Sequence, residues 1–224
     1  MAKPYFRQVP NFEYVSRNKD EKYISNYDNV KNLFKRGKIR EDIFGDLSFF
    51  TKYQIIGDER PDNVAYRFYK ESTLDWVVLL SNNILNIQTE WPMTQNTFDK
   101  YLLEKYGDYN TLFNGVHHYE AEEILTTQGI TIVPKGLEVP AGYSVTYFDY
   151  GLQTEVTKSN IGQAVTNYEY EHRIQEDKRN IFVLKPIYLN VLFNDLENIM
   201  PYKKGGDQYV NSTLKKGDNI RLYE

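Results

Sequence analysis

Apolar positions between residues 49 and 107 follow a strand period, then a helical one, then a second helical one. Phe49 to Ile56 is β-branched and aromatic and is bounded by Gly57-Asp58, which predicts a strand closed by a turn. Pro61 then stands where a first helical residue belongs, and Val64, Ala65, Phe68 and Tyr69 share one face at three- and four-residue spacing. Ser72 is placed to cap a second short helix that carries Leu74, Trp76, Val77, Leu79 and Leu80. It ends at Asn82-Asn83, because asparagine tolerates the left-handed cap conformation. Helices this short are not stable alone, so the preceding strand and Ile84 to Ile87 are expected to complete their core, with Trp76 inside it. Thr94 caps a third helix over Gln95 to Tyr106, with Phe98, Tyr101, Leu102 and Lys105 in phase and Gly107 at the stop.

Beyond that helix the pattern changes. Val116 to Val156 is rich in Thr, Val, Ile and Tyr with Gly and Pro punctuation, which predicts a small insertion of short antiparallel strands. Val165 to Lys178 returns to helix, Asn180 to Leu184 to strand, and Lys185-Pro186 opens a last helix bearing Ile187, Leu189, Leu192 and Leu196. The two ends keep no period for long. Residues 1 to 30 alternate polar and aromatic positions around a charged run at 17 to 22, a short helical stretch is expected at Val30 to Phe34 before Arg36-Gly37-Lys38 breaks it, and the tail from Tyr202 is polar. The fold class expected is α+β: an N-terminal arm at 1–48, a compact core with its following helix at 49–107, a β-rich insertion at 108–164, a helix-strand-helix segment at 165–201 and a C-terminal arm at 202–224.

Composition supports a packed core at the middle of this plan. Leu, Ile, Val and Phe make up about 27% of the 224 residues, above the roughly 20% below which chains tend to disorder. The 27 basic and 31 acidic residues are interspersed rather than blocked into tails, which argues against nucleic acid or an anionic membrane as the main partner. The start lacks the apolar core of a signal peptide and the longest apolar run, Trp76 to Leu80, is far short of a membrane span, so synthesis and assembly in a cytoplasm are expected. Cysteine is absent, which removes disulfides, thiolate metal sites and thiol catalysis. Tyrosine is the residue in excess, at 20. Its apolar ring and polar tip suit surfaces that become interfaces, and the aromatic residues of the arms, Tyr5, Phe6, Phe12, Tyr14, Tyr23, Tyr202, Tyr209 and Tyr223, are the candidate partner-binding positions.

Catalytic constellations find no support. Asp58, Glu59 and Asp62 gather at a helix start, where the helix dipole favours negative charge without any catalytic role. His118 and Glu120 share a strand face beside His117, a two-ligand hint of a metal site without a third member, and a solvated strand edge is the plainer reading. His172 reads as an exposed helical residue. Lys203-Lys204-Gly205-Gly206-Asp207 lacks the spacing of a phosphate loop, and no serine sits in a Gly-x-Ser-x-Gly turn. No cofactor is expected.

Two resemblances give these features a direction. Tyr53 to Ile84, with Tyr53-Gln54-Ile55-Ile56, Gly57-Asp58, Val64-Ala65-Tyr66-Arg67-Phe68-Tyr69, Leu74, Trp76, Leu79, Leu80 and Asn82-Asn83-Ile84, resembles a LysM module. Taken alone this implies a binder of N-acetylglucosamine polymers such as peptidoglycan, in a cell-wall-directed tail or lytic protein. Glu59-Arg60-Pro61-Asp62-Asn63-Val64-Ala65-Tyr66, Leu74 to Asn83, Trp91-Pro92-Met93-Thr94 and the stretch from Tyr168-Glu169-Tyr170-Glu171 through Lys178 to Pro186 and on to Leu196 resemble the LysM-containing baseplate wedge proteins of T-even-type contractile phages. The similarity in length and sequence is fuller with the marine cyanophage branch. That resemblance implies a non-enzymatic virion protein that joins adjacent wedges in the inner baseplate, beside the ring-forming wedge protein and the lysozyme-related sheath-initiating protein, with the LysM-like unit packing against protein.

Overall fold

A computed structural model describes residues 4–15, 27–205 and 208–216. The chain opens with a helical turn α1 (Tyr5–Gln8) and strands β1 (Asn11–Val15) and β2 (Tyr27–Lys31), followed by α2 (Glu41–Phe44), β3 (Phe50–Gln54), α3 (Pro61–Tyr69), α4 (Asp75–Ser81) and α5 (Ile87–Glu90). Next come α6 (Gln95–Tyr106), α7 (Tyr109–Asn114), β4 (Val116–Ala121), β5 (Ile124–Leu125), β6 (Thr131–Val133), β7 (Glu138–Val139), β8 (Val145–Asp149), β9 (Thr154–Lys158), β10 (Gly162–Thr166) and α8 (Asn167–Asp177). The last elements are β11 (Asn180–Leu184), α9 (Leu189–Ile199), β12 (Tyr209–Asn211) and β13 (Leu214–Lys216). The fold is α+β with several small sheets. It divides into two compact units, one made of residues 1–91 and 180–224 and the other of residues 92–179. The helix at 95–106 and the segment 165–179 therefore both stand in the second unit.

In the first unit β3 pairs antiparallel with β11, Phe50 opposite Leu184 and Gln54 opposite Asn180. Ile84 packs against this core as expected, but no strand follows it: the Asn86 side chain accepts the Gln88 amide and starts α5, and the strand that pairs with β3 comes instead from residues 180–184. Pro61, Val64 and Ala65 of α3 and Trp76, Val77 and Val78 of α4 are buried in one core with Ile181, Val183 and Leu184 of β11. Asn83 takes the left-handed conformation at φ +53°, as its position after α4 requires. Asn82 does more than end the helix. Its amide nitrogen donates to the Phe182 carbonyl at 2.8 Å and its amide oxygen accepts from the Phe182 N–H at 2.8 Å, so one side chain pairs with β11 as a neighbouring strand would.

The terminal arms are extended, and they pair with each other. Their sheet has the order β12-β13-β1-β2, with β1 parallel to β13 (Asn11 opposite Leu214) and antiparallel to β2 (Asn11 opposite Lys31). The helix expected at Val30 to Phe34 is instead the end of β2 and a tight turn, because five residues nucleate a helix poorly while β1 offers a ready partner. Gly37 lies against the last helix of this unit. A Cβ there would meet Leu196 Cδ2 at 2.6 Å and Met200 Cε at 3.2 Å, so the residue that breaks the local pattern also lets these two side chains approach the backbone.

The second unit holds two cores of its own. Phe98 and Leu102 of α6 pack with Leu112 of α7, while Ala121, Ile124, Val133, Val139 and Ile161 fill the β-rich part. Gly107 ends α6 at φ +82°. The sheet order is β10-β4-β7, and α8 leaves β10 through a capping box in which Thr166 and Glu169 bond each other's backbone amides. A buried carboxylate ties the helices: Glu171 of α8 accepts from Lys105 Nζ at 2.5 Å and from the Tyr106 hydroxyl at 2.9 Å.

Candidate functional site

Six of the candidate residues of the arms are described, and they lie in the first unit, around the arm sheet and α1. Tyr5 accepts the Gly37 N–H at 2.9 Å, and its ring lies 5.7 Å from that of Trp76, which also meets Phe193 at 6.0 Å. Tyr202 is only 8% exposed; its hydroxyl donates to the Asn11 carbonyl at 3.1 Å and accepts from Asn32 Nδ2 at 2.8 Å. These two tyrosines are engaged inside the unit. Phe12, Tyr14 and Tyr209 are half-buried on the arm strands, with Phe12 and Tyr14 on one face of β1, and Phe6 is 59% exposed. Tyr23 and Tyr223 lie outside the described residues.

Between α1, the turn after β2 and α4 runs a groove of about 580 Å³, lined largely by apolar side chains including Phe6, Val9, Leu33, Trp76, Leu79 and Ile84. Trp76 is 6% exposed, and its buried Nε1–H has no acceptor among the described residues. Beside the groove Leu33 and Phe34 stand in open solvent at 73% and 102% exposure. The sequence carries a signal for this feature, an apolar pair set between Asn32 and Lys35 in a polar segment.

Basic side chains gather next to it. Lys35 Nζ and Lys215 Nζ each lie 5.1 Å from the centre of the Tyr202 ring. Partial burial, then the nearby Lys215 and Lys203 ammonium groups, hold Lys35 below the ordinary lysine value. Lys31 and Lys35 spend their ammonium groups on the carbonyls of Val9 and Pro201 rather than on carboxylates.

The other polar clusters are consumed by structure. Glu59 accepts from Tyr53 and pairs with Arg67, and Asp62 lies beside Arg60, so the acidic group at the start of α3 faces cations rather than another carboxylate. In the second unit His118 Nε2 is 3.0 Å from Glu120 Oε1, and Arg173 donates to the same oxygen at 2.6 Å. Arg173 above all holds the Glu120 carboxyl below its usual range, with His118 adding to it. His117 stacks on Tyr170 at 3.7 Å. The strand bearing them is the middle one of its sheet and not a solvated edge, and no group of three or more His, Cys, Asp or Glu able to hold a metal occurs among the described residues. Nor is any helix among them long and apolar enough to cross a membrane.

One known protein family matches this chain. The sequence profile of the family described as base plate wedge protein 53 matches residues 5–125, just over half of the chain. The chain belongs to this baseplate wedge family. No individually curated protein matches it. Membership makes the protein a structural component of a phage tail baseplate that contacts other baseplate proteins. The family match takes in the groove residues contributed by α1, the turn after β2 and α4, whereas β11, α9 and the strands of the C-terminal arm lie beyond it.

Proposed function

We propose that this baseplate wedge protein joins adjacent wedges of the inner baseplate, as a structural part without catalytic activity. The observation that carries this reading is the arrangement of the first unit, in which both terminal arms converge on one sheet beside an open apolar groove with a basic flank. A joint between subunits needs such surface outside the core, and tyrosine-rich arms provide contact area at low conformational cost. The ring-forming wedge protein and the lysozyme-related sheath-initiating protein are the partners we assign, from the resemblance to the T-even wedge proteins and their cyanophage branch. We further read β3, α3, α4 and β11 as a LysM-like strand-helix-helix-strand motif used for packing against protein. The burial of Trp76 supports that use, since a buried ring offers no face to a sugar.

A phage lacking this chain tests the proposal. Infected cells should accumulate wedges that do not close into baseplates, and the full-length chain supplied in trans should restore complete tails. Complete, contractile tails in its absence would contradict it. Retention of the purified chain on insoluble peptidoglycan, with no assembly defect, would move the assignment to a glycan-binding protein.

A further inference from the structure

The charges of the chain are unevenly divided between the two units. Residues 92–179 hold 13 acidic and 7 basic side chains, leaving 18 acidic and 20 basic for the first unit. Much of that basic excess lies next to the groove: Lys35 and Arg36 line it, and Lys203 and Lys215 stand with Lys35 around Tyr202. No described carboxylate pairs with Lys31, Lys35, Lys203 or Lys215, and the one carboxylate lining the groove, Asp75, accepts the Trp76 amide at its own helix start. The groove is lined mainly by apolar side chains, among them the exposed Leu33, and the fully exposed Phe34 follows Leu33 in the chain. An apolar trough and a cationic flank together describe the complement of a particular kind of segment.

We infer that the groove between α1, the 32–35 turn and α4 is the docking site for a segment of another baseplate protein that is apolar along its length and carries carboxylates at the end facing Lys35, Lys203 and Lys215. Its apolar side chains cover Leu33, Leu79 and Ile84, and its carboxylates take the lysines that no described carboxylate of this chain pairs with. The inference rests on the baseplate role proposed above and adds to it the face and the chemistry of the contact.

Photo-crosslinking in assembled particles tests it. A benzophenone side chain is placed at position 33, with a control at the exposed Tyr66 of α3, and virions are purified, irradiated and digested. The expected product joins position 33, and not position 66, to an acidic, apolar peptide of a different baseplate protein. Virions that contain the chain at full copy number but yield no product at position 33, or a product with a basic peptide or a second copy of this chain, would overturn the inference and leave the baseplate role intact. Absence of the wild-type chain from virions would overturn both. Two variants add a second readout: Leu33→Asp with Phe34→Asp, and Lys203→Glu with Lys215→Glu. Each should incorporate at least tenfold less into particles while melting at the wild-type temperature as free protein, and wild-type incorporation of both would overturn the inference. Saturable binding of an N-acetylglucosamine hexamer that Leu33→Asp abolishes would assign the groove to a glycan instead.

Discussion

Lys105 and Glu171 show how single side chains hold the second unit together. Glu171 is nearly fully buried in α8, whereas Lys105 is 44% exposed, so the pair is partly screened by water. Lys105→Met keeps the aliphatic stem and leaves the carboxylate with only the Tyr106 hydroxyl. It should destabilise this unit by about 2 kcal/mol in urea titrations, less than the roughly 3–5 kcal/mol of a fully buried pair because of that screening. Glu171 holds the Lys105 ammonium above its ordinary value, so the stabilisation is complete below about pH 10.4 and is lost as pH rises through the folded-state value. The variant should lack this alkaline component, and an unchanged alkaline profile would contradict the assignment. Asp149 works in the opposite direction. Its carboxylate, 2% exposed, accepts from the Thr127 hydroxyl and amide and from the Gly151 and Leu152 amides, which ties the turn at 126–130 to the turn at 149–153. Those bonds hold it below the usual carboxylate range, so its contribution is present above about pH 3.9 and disappears as pH falls below that. In Asp149→Ala, amide exchange should accelerate in both turns together. Acceleration in one turn alone would show that the carboxylate does not couple them.

At the scale of elements, what the sequence revealed depended on how local the cause was. The helices α3, α4 and α6 were legible because proline, asparagine and glycine punctuation agrees with their helical apolar spacing. The partner of β3 was not, since Phe50 meets Leu184 across an inserted unit and nothing near residue 50 encodes that register. The arm sheet was hidden for the same reason: Asn11 and Leu214 pair from opposite ends of the chain. The aromatic residues of the arms could be picked out as a group, but their fates could not, because Tyr202 is buried by Asn11 and Asn32 while Phe6 stays open. Asn82 illustrates the gap, readable as a helix stop and unreadable as the pairing partner of Phe182. Asn82→Ala should cost the first unit about 2 kcal/mol by leaving the Phe182 amide and carbonyl unpaired, with the second unit unaffected. Equal loss in both units on domain-resolved hydrogen exchange would refute a local role. Gly37→Ala should also destabilise the first unit, by about 1–3 kcal/mol, as the new Cβ presses on the fully buried Leu196, and a neutral effect would mean that α9 yields.

At the scale of the whole molecule, one unit is inserted into the sequence of another. Two hydrophobic cores lie wholly within residues 92–179, so that segment expressed alone should unfold cooperatively on heating, and a structureless product would show that it depends on the rest. The first unit cannot be trimmed in the same way. Val9 belongs to its core and β1 is an inner strand of the arm sheet, so removing residues 1–30 would damage the fold as well as any interface, and point changes at Leu33 and Phe34 are the cleaner probes of function. Quantitative mass spectrometry of salt-washed virions decides whether this chain is a built-in part of the baseplate. A fixed copy number per baseplate wedge is the result expected; absence from the particles, or a trace amount that varies between preparations, would contradict it.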